Sequence, residues 1–337
     1  KEREEIMSVI EKAILLNDEK NKIKENKKIK NLTELKKKQE LFYTQLYSTW
    51  RKLKITEKSL ERCRNCGDFC MFLSTKKFDK TKLYTANFCH NRFCPSCSKR
   101  KSVKDTIALD CMTRWVIEDK KRKFIFLTLT VPNVSEDALD DKIREMNHAF
   151  QKMVKRTSFE KAVKGYVKKL ELTYNKKTDS YHPHFHVLLS VSKGYFSNMN
   201  QYVKQDKWLS EWQAVMNDTD ITQIDVKCFR QTKDQKSVLE LISYIAKGTQ
   251  WNVDTDVFTV LYNALHKKRD FTFGGDFKEA RDLYKKQELT KYLKVDETIW
   301  YWLITFGWAK GEYKERQKEK VCDLDLNIKN LVFKDCL

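Results

Sequence analysis

The sequence predicts an α+β protein built on an antiparallel sheet with helices packed on one face, of the ferredoxin-like or RNA-recognition-motif-like type. Three observations predict it. Apolar strands and helical stripes follow the order β-α-β-β-α-β-α between residues 124 and 248. Two of those strands, 165–174 and 181–190, are joined only by a polar turn at 175–180. Six of the ten cysteines crowd into residues 63–97 and mark a separate module ahead of the sheet.

Composition narrows the class of protein. Lysine and arginine number 67 against 47 acidic residues, a net charge of +20 over 337 residues. That balance favours a polyanionic partner, either nucleic acid or an anionic surface. No apolar run approaches the roughly 18 residues of a membrane span. Glycine and proline are scarce, at 8 and 3, so the chain is not a low-complexity linker. The first residues show no export signal, so ten cysteines point to metal ligation rather than disulfides, and a cytoplasmic setting is expected.

Residues 1–62 form a basic, helix-prone amino-terminal region, with Ile10, Ile14, Leu15, Leu32, Leu35, Leu41 and Leu46 at weak helical spacing. Its lysine-dense run at 22–38 is a solvated face or a track for a phosphate backbone. Residues 63–110 form the cysteine module, whose basic cluster at 98–102 enters a helix through Trp115. The core, 111–250, begins with a strand at 124–131, Phe-Ile-Phe-Leu-Thr-Leu-Thr-Val, ended by Pro132. Ser135 caps a helix to about Lys155 that places Ala138, Leu139, Ile143 and Met146 together. Trp208, Trp212 and Met216 form the core stripe of a helix over 198–216. A strand at 222–230 and a helix at 235–248 follow. Residues 251–337 lack a clear period until the aromatic stretch 299–308, which is read as part of a small helical extension.

The chemistry concentrates at 181–190, Tyr-His-Pro-His-Phe-His-Val-Leu-Leu-Ser, which holds three of the six histidines. On a strand, His184 and His186 share one face and Phe185, Val187 and Leu189 the other. Paired imidazoles on one face suit a divalent metal ion. Glu171 is the expected third ligand, since a lone carboxylate in Leu-Glu-Leu-Thr is costly unless paired or ligated. Two histidines and one carboxylate suit Mn²⁺ or Mg²⁺ with phosphate oxygen and water completing the shell. On the helix at 235–248, Val238, Leu241, Ile242 and Ile245 form the apolar face, and Glu240, Tyr244 and Lys247 line the other. A tyrosine there is a candidate nucleophile toward a phosphodiester, and a carboxylate one turn away can activate water.

These segments resemble a known family, the rolling-circle plasmid replication initiators of Gram-positive bacteria within the HUH endonuclease superfamily. The resemblance rests on Phe126-Leu-Thr-Leu-Thr-Val-Pro-Asn133, Leu170-Glu-Leu-Thr173, His182-Pro-His-Phe-His-Val-Leu-Leu189, Glu240-x-x-x-Tyr244-x-x-Lys247 and Phe88-Cys-His-Asn-Arg-Phe-Cys-Pro-Ser-Cys97. It covers roughly residues 66–250, with weaker likeness through Leu265-His-Lys-Lys-Arg269. It implies an HUH nuclease core in which His184, His186 and Glu171 bind the catalytic ion. It also implies that Tyr244 nicks the plasmid's double-strand origin, at a hairpin or single-stranded site, and becomes linked to the 5′ phosphate. Glu240 then fits the carboxylate that activates water at termination, and Lys247 is spaced to contact the phosphate or the phenolate. His182 is given no ligand role. A helicase and a polymerase of the host are implied partners, and a homodimer is possible within the family. A transposase or relaxase would share the metal and tyrosine chemistry, and a non-catalytic zinc protein would share only DNA binding.

The cysteine pairs Cys63-x-x-Cys66 and Cys94-x-x-Cys97 signal zinc. Ribbon spacing alone selects Cys63, Cys66, Cys94 and Cys97. The resemblance implies Cys66, Cys89, Cys94 and Cys97, with Cys70 and His90 in reserve. Four thiolates leave no open position, so the expected Zn²⁺ is structural.

Overall fold

A computed structural model describes residues 30–199, 201–229, 242, 254–293 and 298–321. These fall into two compact units, one within Lys1–Arg100 and Val295–Lys334, the other within Lys101–Lys294. No helix among the described residues is long and apolar enough to cross a membrane.

The first unit begins with helix α1, residues 30–49, and helix α2, Glu57–Arg64. Thr56 caps α2 by accepting from the Ser59 amide. Strands β1, Phe69–Ser74, and β2, Thr81–Ala86, form an antiparallel hairpin. Helix α3, Pro95–Glu118, follows, and the division between the units falls within it.

The second unit continues with β3, Lys123–Thr130, α4, Glu136–Val154, and α5, Thr157–Ala162. Next come β4, Val163–Asn175, β5, Ser180–Val191, α6, Gln205–Met216, and β6, Ile224–Phe229. Helix α7, Thr255–Leu265, strand β7, Phe271–Gly275, and helix α8, Asp276–Lys285, complete it. Its sheet has the order β6-β3-β5-β4-β7, with every neighbouring pair antiparallel.

Alternation along the strands decides what is buried. Ile125, Leu127 and Leu129 of β3 join Phe185, Val187 and Leu189 of β5 on one face. Against them α4 lays Met146, Ala149, Phe150 and Met153, and α6 lays Trp208, Trp212 and Met216. The Trp212 indole donates to the Thr130 carbonyl at 2.8 Å, which satisfies its one polar atom. The expected helix start at 198 moves to Gln205, because Tyr195 first holds the chain in a turn through the amide and carbonyl of Val203.

The sheet also carries a helix on its other face. Phe277 of α8 meets Phe124 at 6.1 Å between ring centroids, and Asp276 accepts from Ser190 at 3.2 Å. Helices therefore cover parts of both faces rather than one.

The described residues within 254–321 combine helix with strand. The stretch 299–308, read from sequence as helical, contains strand β8, Trp302–Ala309, which pairs with β1 and with β9, Glu312–Lys320. Aromatic and β-branched residues favour the extended form. Lys310 and Gly311, at φ +53° and +80°, close the two-residue hairpin loop that its twist requires. The first unit's sheet is thus β2-β1-β8-β9.

Gly275 ends β7 at φ +53° and ψ −132°, a region open in practice only to glycine. A Cβ there would collide with the Lys164 carbonyl. Gly275→Ala is expected to destabilise the second unit by about 2 kcal/mol or more. Urea unfolding followed by tryptophan fluorescence checks this, and an unchanged midpoint would contradict it.

Candidate metal centres

The pairing of β4 with β5 sets Glu171 directly opposite His184 and Lys169 opposite His186. On the other side β3 sets Thr128 opposite His186 and Thr130 opposite His184. Directly paired residues share a face, so Glu171, His184 and His186 meet on the face that the Phe185 row leaves open. One ligand atom from each lies within 4.8 Å of the others. Glu171 Oε2 is 2.7 Å from His186 Nε2 and 3.5 Å from His184 Nε2.

Neighbouring groups orient both imidazoles. His184 Nδ1 lies 3.3 Å from the His182 carbonyl. A carbonyl only accepts, so Nδ1 carries a hydrogen, and Nε2 is the ring nitrogen that faces Glu171. His186 Nδ1 lies 3.4 Å from Thr128 Oγ1, and Phe126 stacks on the ring at 5.4 Å. Hydrogen bonds from His184 and then His186 hold the Glu171 carboxyl well below the usual range, against the opposing effect of burial. The site therefore presents an ionised carboxylate and two nitrogen donors converging from paired strands. That donor set fits a divalent cation with further positions open to oxygen ligands. His182 stacks on His184 at 5.1 Å and does not join the group; burial, then the charge of His184, lowers its pKa.

Glu240, Tyr244 and Lys247 lie outside the described residues. Ile242, between them in sequence, is helical and buried, as its place on the apolar face requires. Sequence reasoning missed Thr128 as a support for His186. The alternation in Leu-Thr-Leu-Thr sets Thr128 and Thr130 opposite the leucine row, but only the β3–β5 register puts them beside the histidines.

The first unit gathers Cys66, Cys89, Cys94 and Cys97, all buried and all with sulfurs within 4.8 Å. Sulfur separations are 3.6 Å for Cys66–Cys97, 3.6 Å for Cys89–Cys97 and 3.7 Å for Cys66–Cys94. A tetrahedron with metal–sulfur bonds of about 2.3 Å has edges of about 3.8 Å, so the set fits such an ion closely. The Cys89 amide donates to Cys66 Sγ at 3.4 Å. Cys63, which ribbon spacing favours, is buried nearby with Asn91 at 3.8 Å from its sulfur, outside the group of four. Cys70 turns instead to the Gly67 carbonyl and Tyr313, and its burial pushes its thiol up to about 11.

The loop bearing Cys66 is fixed by a buried lysine. Lys36 of α1 is 1% exposed and donates to the Cys66 carbonyl at 2.9 Å and to Gln39 at 2.7 Å. Asp68 compensates its charge at 2.7 Å.

With this geometry the chain takes its place among basic α+β proteins with two groups of side chains that could each hold a metal ion. The family is narrower. A family described as replication protein matches residues 80–300. A Protein rep of Staphylococcus aureus is 41% identical over 210 residues, 62% of this chain and 91% of that protein. A Protein rep of Streptococcus pneumoniae is 32% identical over 246 residues, 72% of this chain and 77% of that one. Another, from a Bacillus species, is 34% identical over 284 residues, covering 72% and 90%. No solved structure matches the chain. The chain belongs to the replication protein family, as a plasmid rolling-circle replication initiator.

Thr128→Val is expected to weaken Mn²⁺ binding by roughly tenfold with the fold intact, since it removes only the group orienting His186. Calorimetric titration reads the change; equal affinity would deny Thr128 that role. Cys94→Ser is expected to abolish the metal content of the first unit and lower its melting temperature, while strong chelation does the same to the unaltered chain. Elemental analysis with thermal unfolding checks both, and full metal content in Cys94→Ser would refute the assignment.

Proposed function

We propose that this initiator starts plasmid copying by nicking one strand at the double-strand origin, and ends it by rejoining, through a 5′-phosphotyrosine at Tyr244. The observation that carries the reading is Glu171 facing His184 and His186 across one strand pair. Those three residues hold Mn²⁺ or Mg²⁺. The ion, when bound, polarises the scissile phosphate and spreads the charge that develops on it.

The chain's own residues do the rest. The Tyr244 phenolate attacks phosphorus, the bond to the 3′ oxygen breaks, and that oxygen leaves as a 3′ hydroxyl able to prime a polymerase. Lys247 contacts the phosphate or favours the phenolate. Joining reverses the first step: a 3′ hydroxyl attacks the phosphotyrosine phosphorus and the bond to Tyr244 breaks. Where Glu240 takes a proton from water instead, the water attacks phosphorus and the same bond breaks, which releases the enzyme. A single tyrosine paired with a glutamate suits an enzyme that terminates once. Zn²⁺ at Cys66, Cys89, Cys94 and Cys97 is structural and braces the module at 63–110.

The net charge of +20 and the family support origin DNA as the substrate, bound as a hairpin or single strand with steep salt dependence. A host helicase and polymerase act with the enzyme in the cytoplasm. The core at 111–250 performs the chemistry. Residues 1–62 and 251–337 serve origin recognition, homodimer formation or partner docking.

Mixing the protein with Mn²⁺ and single-stranded origin oligonucleotides is expected to give a protein–DNA adduct that survives SDS. Tyr244→Phe abolishes it and His184→Ala lowers it by at least about 100-fold. An adduct persisting in Tyr244→Phe would move the nucleophile elsewhere. Tight, salt-sensitive binding to the correct origin with no adduct would overturn the enzymatic reading.

A further inference from the structure

We propose that the second unit carries a separate phosphate-binding pocket, on the sheet face opposite Glu171, His184 and His186, with Lys168 as its floor and Lys268 and Arg269 at its mouth. Strand register places it there. Lys168 pairs with Val187 of β5 and Thr272 of β7, so its side chain shares the face of the Phe185 core row. Glu171 and the two histidines point the other way.

Lys168 is unusual for a lysine. It is 5% exposed, with Nζ donating to Asn147 Oδ1 at 2.6 Å and lying 3.9 Å from the Phe185 ring centroid and 4.8 Å from that of Phe150. An amide oxygen and two ring faces attract a cation, but they carry no net charge. No carboxylate among the described residues forms an ion pair with it. Burial lowers its pKa to about 8, the mark of a charge held without compensation. Such a charge is costly unless an anion completes the site.

The space for an anion is present. A cavity of about 250 Å³ opens above Lys168, bounded by Asn147, Phe185, Lys268, Arg269, Asp270 and Thr272. Its one carboxylate, Asp270, is drawn to Lys101 at 3.4 Å. Lys268 pairs with Asp140, which leaves Lys168 and Arg269 as the cations without an ion-pair partner among the described residues. A lysine point charge, an arginine fork and the Thr272 hydroxyl together suit a tetrahedral oxyanion. The pocket also accounts for Leu265-His-Lys-Lys-Arg269, which the nicking chemistry does not use. The ligand class is a phosphate group, either free, as inorganic phosphate or a mononucleotide, or within a DNA backbone.

The test is calorimetric titration of the full chain with inorganic phosphate against chloride at matched ionic strength. His186→Ala serves as the background, with no divalent ion added, so that the metal centre does not contribute. Saturable binding of one phosphate is expected, weakened roughly tenfold in Arg269→Gln and lost in Lys168→Met. If Lys168→Met fails to fold, Arg269→Gln decides alone, because its side chain is exposed. No saturable binding, or equal binding in Arg269→Gln, would overturn the proposal. Single-stranded oligonucleotides then separate the sources. Competition with phosphate, and a DNA salt slope reduced by about one in Arg269→Gln, assigns the pocket to a backbone phosphate. An unchanged slope with phosphate binding lost assigns it to a free phosphate or nucleotide.

Discussion

The register between β4 and β5 is the constraint on which the rest of the second unit depends. Phe185, Val187 and Leu189 must be buried against α4 and α6, and a strand has only two faces. That burial fixes His184 and His186 on the opposite face. A slip of one residue would send the aromatic row to the open side and the histidines into the core. The hairpin turn ending at Asp179, held at φ +45° with its carboxylate accepting from Tyr174 at 2.8 Å, sets the count. Glu171 then has no choice of partner: it faces His184. The same count turns Lys168 toward Phe185, away from the metal centre. Core packing, metal geometry and the buried lysine are three results of one alignment.

The legible parts of the sequence were those with a short period. Alternation over two residues exposed His184 and His186, and a carboxylate isolated among leucines exposed Glu171. The Trp208, Trp212 and Met216 stripe was legible because a helix repeats its face every three to four residues. Thr128 was not, because threonine in a strand is ordinary and only the β3–β5 register gives it a neighbour. Strand β7 was hidden by its length, five residues with two glycines. Strand β8 was hidden because Leu303, Ile304 and Phe306 are all buried, which erases the alternation that identifies a strand. Among the cysteines, spacing identified a metal cluster, but Cys89 follows β2. Its approach to Cys66 depends on the β1–β2 pairing, which no spacing rule contains.

Two buried lysines show how the same residue type can answer two different demands. Lys36 is sealed in the first unit, yet its charge is met by Asp68, and its remaining protons by Gln39 and the Cys66 carbonyl. Such a pair fixes geometry: it ties α1 to the loop that presents Cys66. Lys168 is nearly as buried, but it meets an amide oxygen and two aromatic faces. Its site lowers the cost of the charge without cancelling it. If Lys168 served packing alone, a methionine would fill the same volume without any desolvation penalty. A lysine kept at the floor of an open cavity, below an arginine, is instead the arrangement of a site completed from outside. The difference between the two lysines is the presence of a carboxylate, and that difference separates a structural strut from a binding group.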